Sequence, residues 1–413
     1  MSNLRHKNQL VERICYVFGV LLLSGILGVI VSIIANYFVL VVKWFANLRT
    51  DSNDLFQFSG LSFSSILWLF TAVFILYFIR RACNIDRWHG PADAVYASHR
   101  TDNELDLKRG VGSTFAALVS LSAGAPVGQY GPLVNFGASI ASFLSQITRV
   151  KMIPPDVLMS CGVAAAISAG FNAPIGGIIF AHEAVLRHFS LSALLPIAIA
   201  STVSAAFGTW AFGGAPLFSL NLDAPDLLPL LPSLALSGFV FGIVALIYMR
   251  MIFMFAAVPA KSGIGYLPLA LIAALVTGAF GMFYPEVLGL GVDVIFSFIN
   301  HDLSVKLILV LLGLKILLTT LCIGFGVFGG VFSPALFVGA ATGQAMSNLL
   351  SQIYLFSPSA VLAVSGMAAV AACVVGAPLA VVMIILELTM SYDYAIAALI
   401  STMVAVMVTN SIY

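Results

Sequence analysis

The chain has 413 residues, of which 61% are apolar and 8% charged, and its mean hydropathy is +1.08. A soluble domain carries about 25% charged residues, so this composition excludes one and describes a polytopic membrane protein. A formal net charge of +1 without a large basic cluster leaves no case for nucleic acid as a partner, and five cysteines without a CxxC spacing give neither a disulfide framework nor a metal site.

Arg5, Lys7 and Arg13 precede an apolar run over 14–45. That run is too long for the apolar region of a signal peptide, about 7–15 residues, and reads as a retained first membrane helix. Its basic flank places the N-terminus in the cytoplasm. Further spans are expected near 62–80, 191–213, 230–258, 265–284, 304–323 and 394–410. Between them lie shorter apolar pieces cut by Gly, Pro or Asn, at 111–125, 131–147, 157–171, 174–187, 331–350, 358–375 and 378–390. Many fall short of the roughly 20 residues needed to cross a bilayer. Backbone can break inside a bilayer only where protein buries it or where it lines an aqueous cavity. These pieces are therefore expected in the interior, with their ends aimed at something. Residues 81–110 form the most charged loop and read as cytoplasmic. Residues 46–61 and 214–230 read as loops, the second marking the boundary between halves 1–215 and 216–413. No soluble domain is expected at either end.

The two halves repeat one another. Gly162 opens GVAAAISAGFNAPIGGIIFAHE and Gly366 opens GMAAVAACVVGAPLAVVMIILE, so Pro174 matches Pro378 and Glu183 matches Glu387 at an offset of 204. Upstream, Pro132 matches Pro334 and Gly137 matches Gly339 at an offset of 202. Repeated halves with interrupted helices mark a transporter-type fold, in which helix ends meet near the midplane around a solute.

Three segments place Gly and Pro just before an apolar helical run: WHGPADAV (88–95), GQYGPLVNFG (128–137) and GGVFSPALFVG (329–339). Proline suits the first helical turn. Helix N-termini carry unpaired N–H groups and about half a positive charge, so several aimed at one point make an anion site without a fixed cation. The bland alternative is a set of ordinary helix breaks in a tight bundle. Lys315, within LILVLLGLKILLTT, is expected to be structural or electrostatic, and Asn135 and Asn172 to hydrogen-bond backbone freed at the breaks. AHEAVLRH (182–188 and its flank) lacks the HExxH spacing of a zinc protease. No nucleophile–base pair points to an enzyme.

These segments resemble the CLC family of chloride channels and chloride/proton antiporters. GGVFSP resembles that family's GxFxP element, GQYGP its GREGP element and HGP a reduced form of its GSGIP element, while FNAPIGGIIFAHE (171–183) and GAPLAVVMIILELT (376–389) resemble the helices that follow. The resemblance implies an all-α polytopic fold of two inverted repeats whose broken helices meet at a central anion site. It further implies one pore per subunit, a homodimer and chloride as substrate rather than any cofactor. By position, the N–H groups of Val331 and Phe332 would hold the central anion, with the Tyr413 hydroxyl contacting it from the inner side. N–H groups around Gln129, Tyr130 and Gly131 would line an outer site. A bacterial inner membrane is the expected location.

The departures carry as much weight. The glutamate of GREGP, which in the antiporters is both gate and proton carrier, is replaced by Tyr130. A phenol, with a pKa of about 10, is neutral at pH 7 and cannot compete as an anion, although it can plug the path or donate its O–H. The second proton-relay acid is replaced by Ala184, which follows Glu183. The symmetric placement of Glu183 and Glu387 suggests a shared structural job. The serine of GSGIP is also lost, leaving Trp88, His89 and Gly90 as the residues that would face the inner site. The expectation is passive, uncoupled anion transport. The alternatives are proton coupling rerouted through Glu183 and His182, and a fold relative that acts as a membrane sensor without transport.

Overall fold

The computed structural model describes residues 2–52, 57–58, 61–147, 152–213, 226–300, 303–352 and 359–412. Among them the fold is all-helical except for one short antiparallel pair, β1 (Gln57–Phe58) with β2 (Leu61–Ser62). The helices of the first half are α1 (Ser2–Asp51), α2 (Ser64–Ala82), α3 (Pro91–Ser98), α4 (Leu107–Ser122), α5 (Tyr130–Ile147), α6 (Pro155–Phe171), α7 (Pro174–Phe180) and α8 (Leu191–Phe212). Helix α7 runs on into a π-helical turn, Ala181–Leu186. The second half has α9 (Leu231–Ala256), α10 (Val258–Ser262), α11 (Tyr266–Phe283), α12 (Val292–Ile299), α13 (Val305–Gly324), α14 (Phe332–Leu350), α15 (Ser359–Val375), α16 (Pro378–Thr389) and α17 (Tyr392–Asn410).

Among the described residues, seven helical stretches are long and apolar enough to cross a membrane, and they coincide with the seven expected spans. Two of the expected loops differ from the sequence reading. Helix α1 does not stop near residue 45 but continues to Asp51, so 46–51 of the expected loop at 46–61 are helical, and the expected loop at 81–110 holds α3 and the first turn of α4. The proposed boundary near residue 215 falls beside 214–225, outside the described residues.

The shorter pieces form the interior. Nearly every residue of α5, α6 and α14 is buried in its central turns. What lets them approach is glycine. Gly137 on α5 packs directly on the backbone carbonyl of Gly162 on α6, and Gly339 on α14 packs in the same way on that of Gly366 on α15. These are the four glycines that anchor the sequence repeat. Without a hydrophobic driving force between helices in lipid, such backbone approach supplies the van der Waals contact that holds them together.

The turns repeat as well as the helices. Helix α6 closes on Asn172 (φ 52°) and α15 on Gly376 (φ 74°), both left-handed, and each is followed by Ala-Pro opening the next helix. Helix α4 is followed by Gly124 (φ 94°) and α13 by Gly326 (φ 88°). A left-handed residue reverses the chain while satisfying a last-turn carbonyl. Asn and Gly tolerate that conformation, and so they recur at these breaks.

Introducing a side chain at the glycine crossings should therefore be disruptive. Gly339→Val should lose about 1–3 kcal/mol or more through overpacking, read as a lower thermal unfolding temperature in detergent. Val at Gly313, where a Cβ meets nothing within 4 Å, should be close to neutral.

Candidate functional site

The breaks after α4 and α13 send two extended segments toward each other. Gly128 and Gly330 meet as an antiparallel bridge, with Gly128 N–H donating to the Gly330 carbonyl and Gly330 N–H to the Gly128 carbonyl, both at 2.6 Å. A Cβ on Gly128 would stand 2.9 Å from the Gly330 oxygen, so only glycine allows the approach. Helix α5 starts at Tyr130 and α14 at Phe332, each two residues beyond the bridge. Helix α3 reaches the same point through Pro91, whose Cγ would lie 3.3 Å from a Cβ on Gly131. All three Gly/Pro segments singled out in the sequence thus converge.

The first N–H groups of a helix have no partner within it. Among the described residues, no backbone or side-chain acceptor takes the N–H of Val331, Phe332, Gln129 or Tyr130. Tyr248 donates its hydroxyl to the Val331 carbonyl at 3.4 Å, which leaves the Val331 N–H unused. Chemically this is a cluster of aligned donors in a low-dielectric interior.

Tyr130 is buried. Its ring stacks on Phe171 at 3.5 Å between centroids and meets Phe332 edge-on at 5.9 Å, while Phe171 meets Phe332 at 5.2 Å. Its hydroxyl donates to the Gly170 carbonyl at 3.2 Å. Gly170 has no side chain because the Tyr130 ring occupies that space, with Cε1 2.6 Å from a would-be Cβ. The phenol is therefore held against the end of α6. It walls a cavity of about 740 Å³ that is also lined by Gln129, Phe171 and Ser333.

The Trp88 indole and the backbone N–H groups of His89 and Gly90 have partners. Trp88 Nε1–H donates to the Gly326 carbonyl at 2.8 Å, and its ring stacks on Phe328. His89 N–H donates to Ser113 Oγ at 3.0 Å, and Gly90 N–H to Asp93 Oδ2 at 2.8 Å. Asp93 is itself paired with Arg87 at 2.5 Å. Burial pulls the His89 imidazole below its ordinary range, with Asp93 opposing in part, so it offers no fixed cation at pH 7. Tyr413 lies outside the described residues.

A sequence model of the voltage gated chloride channel family matches residues 67–410. The chain belongs to that family. It is 27% identical to the H(+)/Cl(-) exchange transporter ClcA of Vibrio cholerae, across 97% of this chain and 88% of the relative. The fold resembles that of a slow cyanobacterial Cl-/H+ antiporter (TM-score 0.85, 19% identity, covering 95% of this chain and 94% of the other). It also resembles that of a CLC-type fluoride/proton antiporter (TM-score 0.83, 22% identity, covering 96% of each).

Within this family member, the acids that follow the broken helices hold the halves together. Glu183 accepts from Leu379 N–H (3.1 Å) and Ala380 N–H (2.7 Å) at the start of α16. Glu387 accepts from Ile175 N–H (2.9 Å) and Gly176 N–H (2.7 Å) at the start of α7. Each half's acid thus caps the other half's helix, and the two helices lie side by side and antiparallel. Ala184 beside Glu183 carries no titratable group. Lys315 is fully buried and donates to the carbonyls of Val287 (2.9 Å) and Gly289 (2.8 Å), with its ammonium 4.7 Å from the centre of the Phe337 ring. It therefore pins the loop that walls the cavity, as a structural lysine would. Asn172 accepts from Thr209 at 3.3 Å rather than bonding freed backbone, and both polar atoms of Asn135 are buried without a partner. The expectation for these two asparagines is corrected accordingly. Arg49 and Ser333, which also line the cavity, carried no signal in the sequence. One sits in a helix end and the other at the variable position of a motif.

Removing either reciprocal cap strands two helix N–H groups. Glu183→Ala and Glu387→Ala should each lose about 1–3 kcal/mol, and their unfolding temperatures in detergent should fall by similar amounts. A loss confined to one of them would break the symmetry.

Proposed function

We propose that this protein carries chloride or a similar small anion across a membrane, past the Gly128–Gly330 crossing, and that it does so passively without proton coupling. The observation that carries the first part is the convergence of three helix starts at one buried point, two of which, those of α5 and α14, keep unused N–H donors. Fixed N–H dipoles hold an anion without the trapping strength of a lysine or arginine. The central anion would sit at Val331 and Phe332, and Gln129, Tyr130 and Gly131 would line the approach from the large cavity. Membership in a family whose relatives include chloride exchangers supports a transporter rather than an enzyme.

The uncoupled part rests on the two replaced acids. Tyr130 is neutral at pH 7 and is bonded to Gly170. Ala184 cannot carry a proton, and the Glu183 carboxylate is engaged with α16. In this reading Tyr130 is a fixed wall, not a gate that swings in and out of the anion path. The protein would act as a homodimer with one pore per subunit, in a bacterial inner membrane with its N-terminus cytoplasmic.

The coupled reading has its own support. ClcA of Vibrio cholerae is an H(+)/Cl(-) exchange transporter, and the structural neighbours are antiporters. A route would have to use His182, whose buried Nε2 has no partner and whose Nδ1 lies 3.3 Å from the His188 carbonyl. Glu183 stands next to it.

Chloride-loaded liposomes, followed for anion efflux and external pH together, separate the two. The passive reading predicts efflux that requires a potassium ionophore and no proton signal. Uphill proton movement driven by a chloride gradient would contradict it. The coupled reading then predicts that Glu183→Gln removes the proton flux and spares the anion flux. Tyr130→Ala takes a bulky wall away from beside the crossing and should raise anion flux about tenfold in the same assay, equivalent to about 1.4 kcal/mol of barrier.

A further inference from the structure

We propose that Arg49 is an anion-binding residue, holding a monovalent anion in the large cavity before it reaches the crossing. This deepens the transport reading and rests on it.

Arg49 lies in the last turn of α1. An arginine there ordinarily donates to the terminal carbonyls of its own helix. Arg49 does not, for its Nη1 is buried without a hydrogen-bond partner. Nor, among the described residues, does it meet a carboxylate. The ion pairs among the described residues are Arg87–Asp93, Arg100–Asp102 and Arg109–Asp106. A guanidinium donor sheltered from water and left unpaired is unfavourable unless another charge completes it.

The surroundings make room for that charge. Gly124 packs against the guanidinium so closely that any side chain there would displace it. The Gly124 carbonyl accepts from Gly289 N–H at 2.9 Å, and the Gly289 carbonyl in turn accepts from Lys315. A second basic side chain, the buried Lys315, therefore stands behind that loop. The cavity that Arg49 lines is lined also by Gln129 and Ser333, which are 2% and 6% exposed. Gln129 Oε1 and Ser333 Oγ are both buried without partners. The Ser333 hydroxyl can donate into that space. Ser333 Oγ would be 3.1 Å from a Cβ on Gly128, so it sits beside the crossing itself. Glu286 and Asp293 line the same cavity, and Glu286 Oε2 is likewise buried without a partner. Neither is within ion-pair distance of Arg49. The segment Gly128–Pro132 carries no cation of its own, so α1 supplies the charge that draws anions to it, as a charged cleft does for a small ion.

The test is anion flux in liposomes over a range of chloride concentrations, with chloride titration calorimetry on the same purified proteins. Arg49→Gln should raise the half-saturating chloride concentration about tenfold, the usual worth of one charge-assisted hydrogen bond. Arg49→Lys should recover most of it. Ser333→Ala should raise it in the same direction and by less. Unchanged half-saturation in monodisperse Arg49→Gln would overturn the proposal. Should that variant not fold, unchanged half-saturation in Ser333→Ala together with wild-type affinity lost in Arg49→Lys would overturn it, since the site would then depend on guanidinium packing rather than on charge and hydroxyl. A wild-type protein with neither flux nor chloride heat would overturn the transport reading instead.

Discussion

The structure depends on one constraint: backbone broken inside a bilayer must satisfy its polar groups within the protein. Here the breaks after α4 and after α13 satisfy one another. Gly128 and Gly330 exchange N–H···O bonds at 2.6 Å, and that exchange aligns the first N–H groups of α5 and α14 on either side of the crossing. The donors left over by the pairing are the ones available to a solute. The same logic operates a second time at α7 and α16, where no solute is needed because Glu183 and Glu387 complete the helix starts. One pair of breaks is closed by the protein's own carboxylates. The other is left open, and this difference separates the structural breaks from the candidate pathway.

Chemistry around the open pair is shaped by what the side chains are already doing. The Trp88 indole and the backbone N–H groups of His89 and Gly90 are donors, but Gly326, Ser113 and Asp93 take them. Tyr130 could have offered a hydroxyl, but Gly170 takes it and Phe171 holds the ring. What remains unspent is backbone N–H at the crossing and, among the side chains lining the cavity, Arg49 Nη1, Gln129 Oε1, Ser333 Oγ and Glu286 Oε2. An arrangement of this kind favours an anion through dipoles at the narrow point and through one charge set back from it, which attracts without trapping.

Much of this was legible in the sequence because membrane folds write their breaks in glycine and proline. The seven spans, the short interior pieces and the convergence of HGP, GQYGP and GGVFSP all follow from those residues and from the length a bilayer demands. The repeated glycines 137, 162, 339 and 366 were visible as a pattern, and their pairing is its physical cause. Side-chain partners were not legible, since hydrogen bonds across 40 residues (Tyr130 to Gly170) or 238 (Trp88 to Gly326) leave no local trace. Arg49 was hidden for the same reason. At the end of a long apolar helix it reads as an ordinary interfacial cation, and only the fold sets Gly124 against it and places it in one cavity with Gln129 and Ser333.

The central claim is that the helix starts at the Gly128–Gly330 crossing hold an anion by their backbone N–H groups. Anomalous diffraction from crystals grown in bromide tests it most directly. The account predicts an anomalous peak within hydrogen-bonding distance of the N–H groups of Val331 and Phe332. Bromide found elsewhere in the protein, with no peak at those groups at saturating concentration, would contradict it.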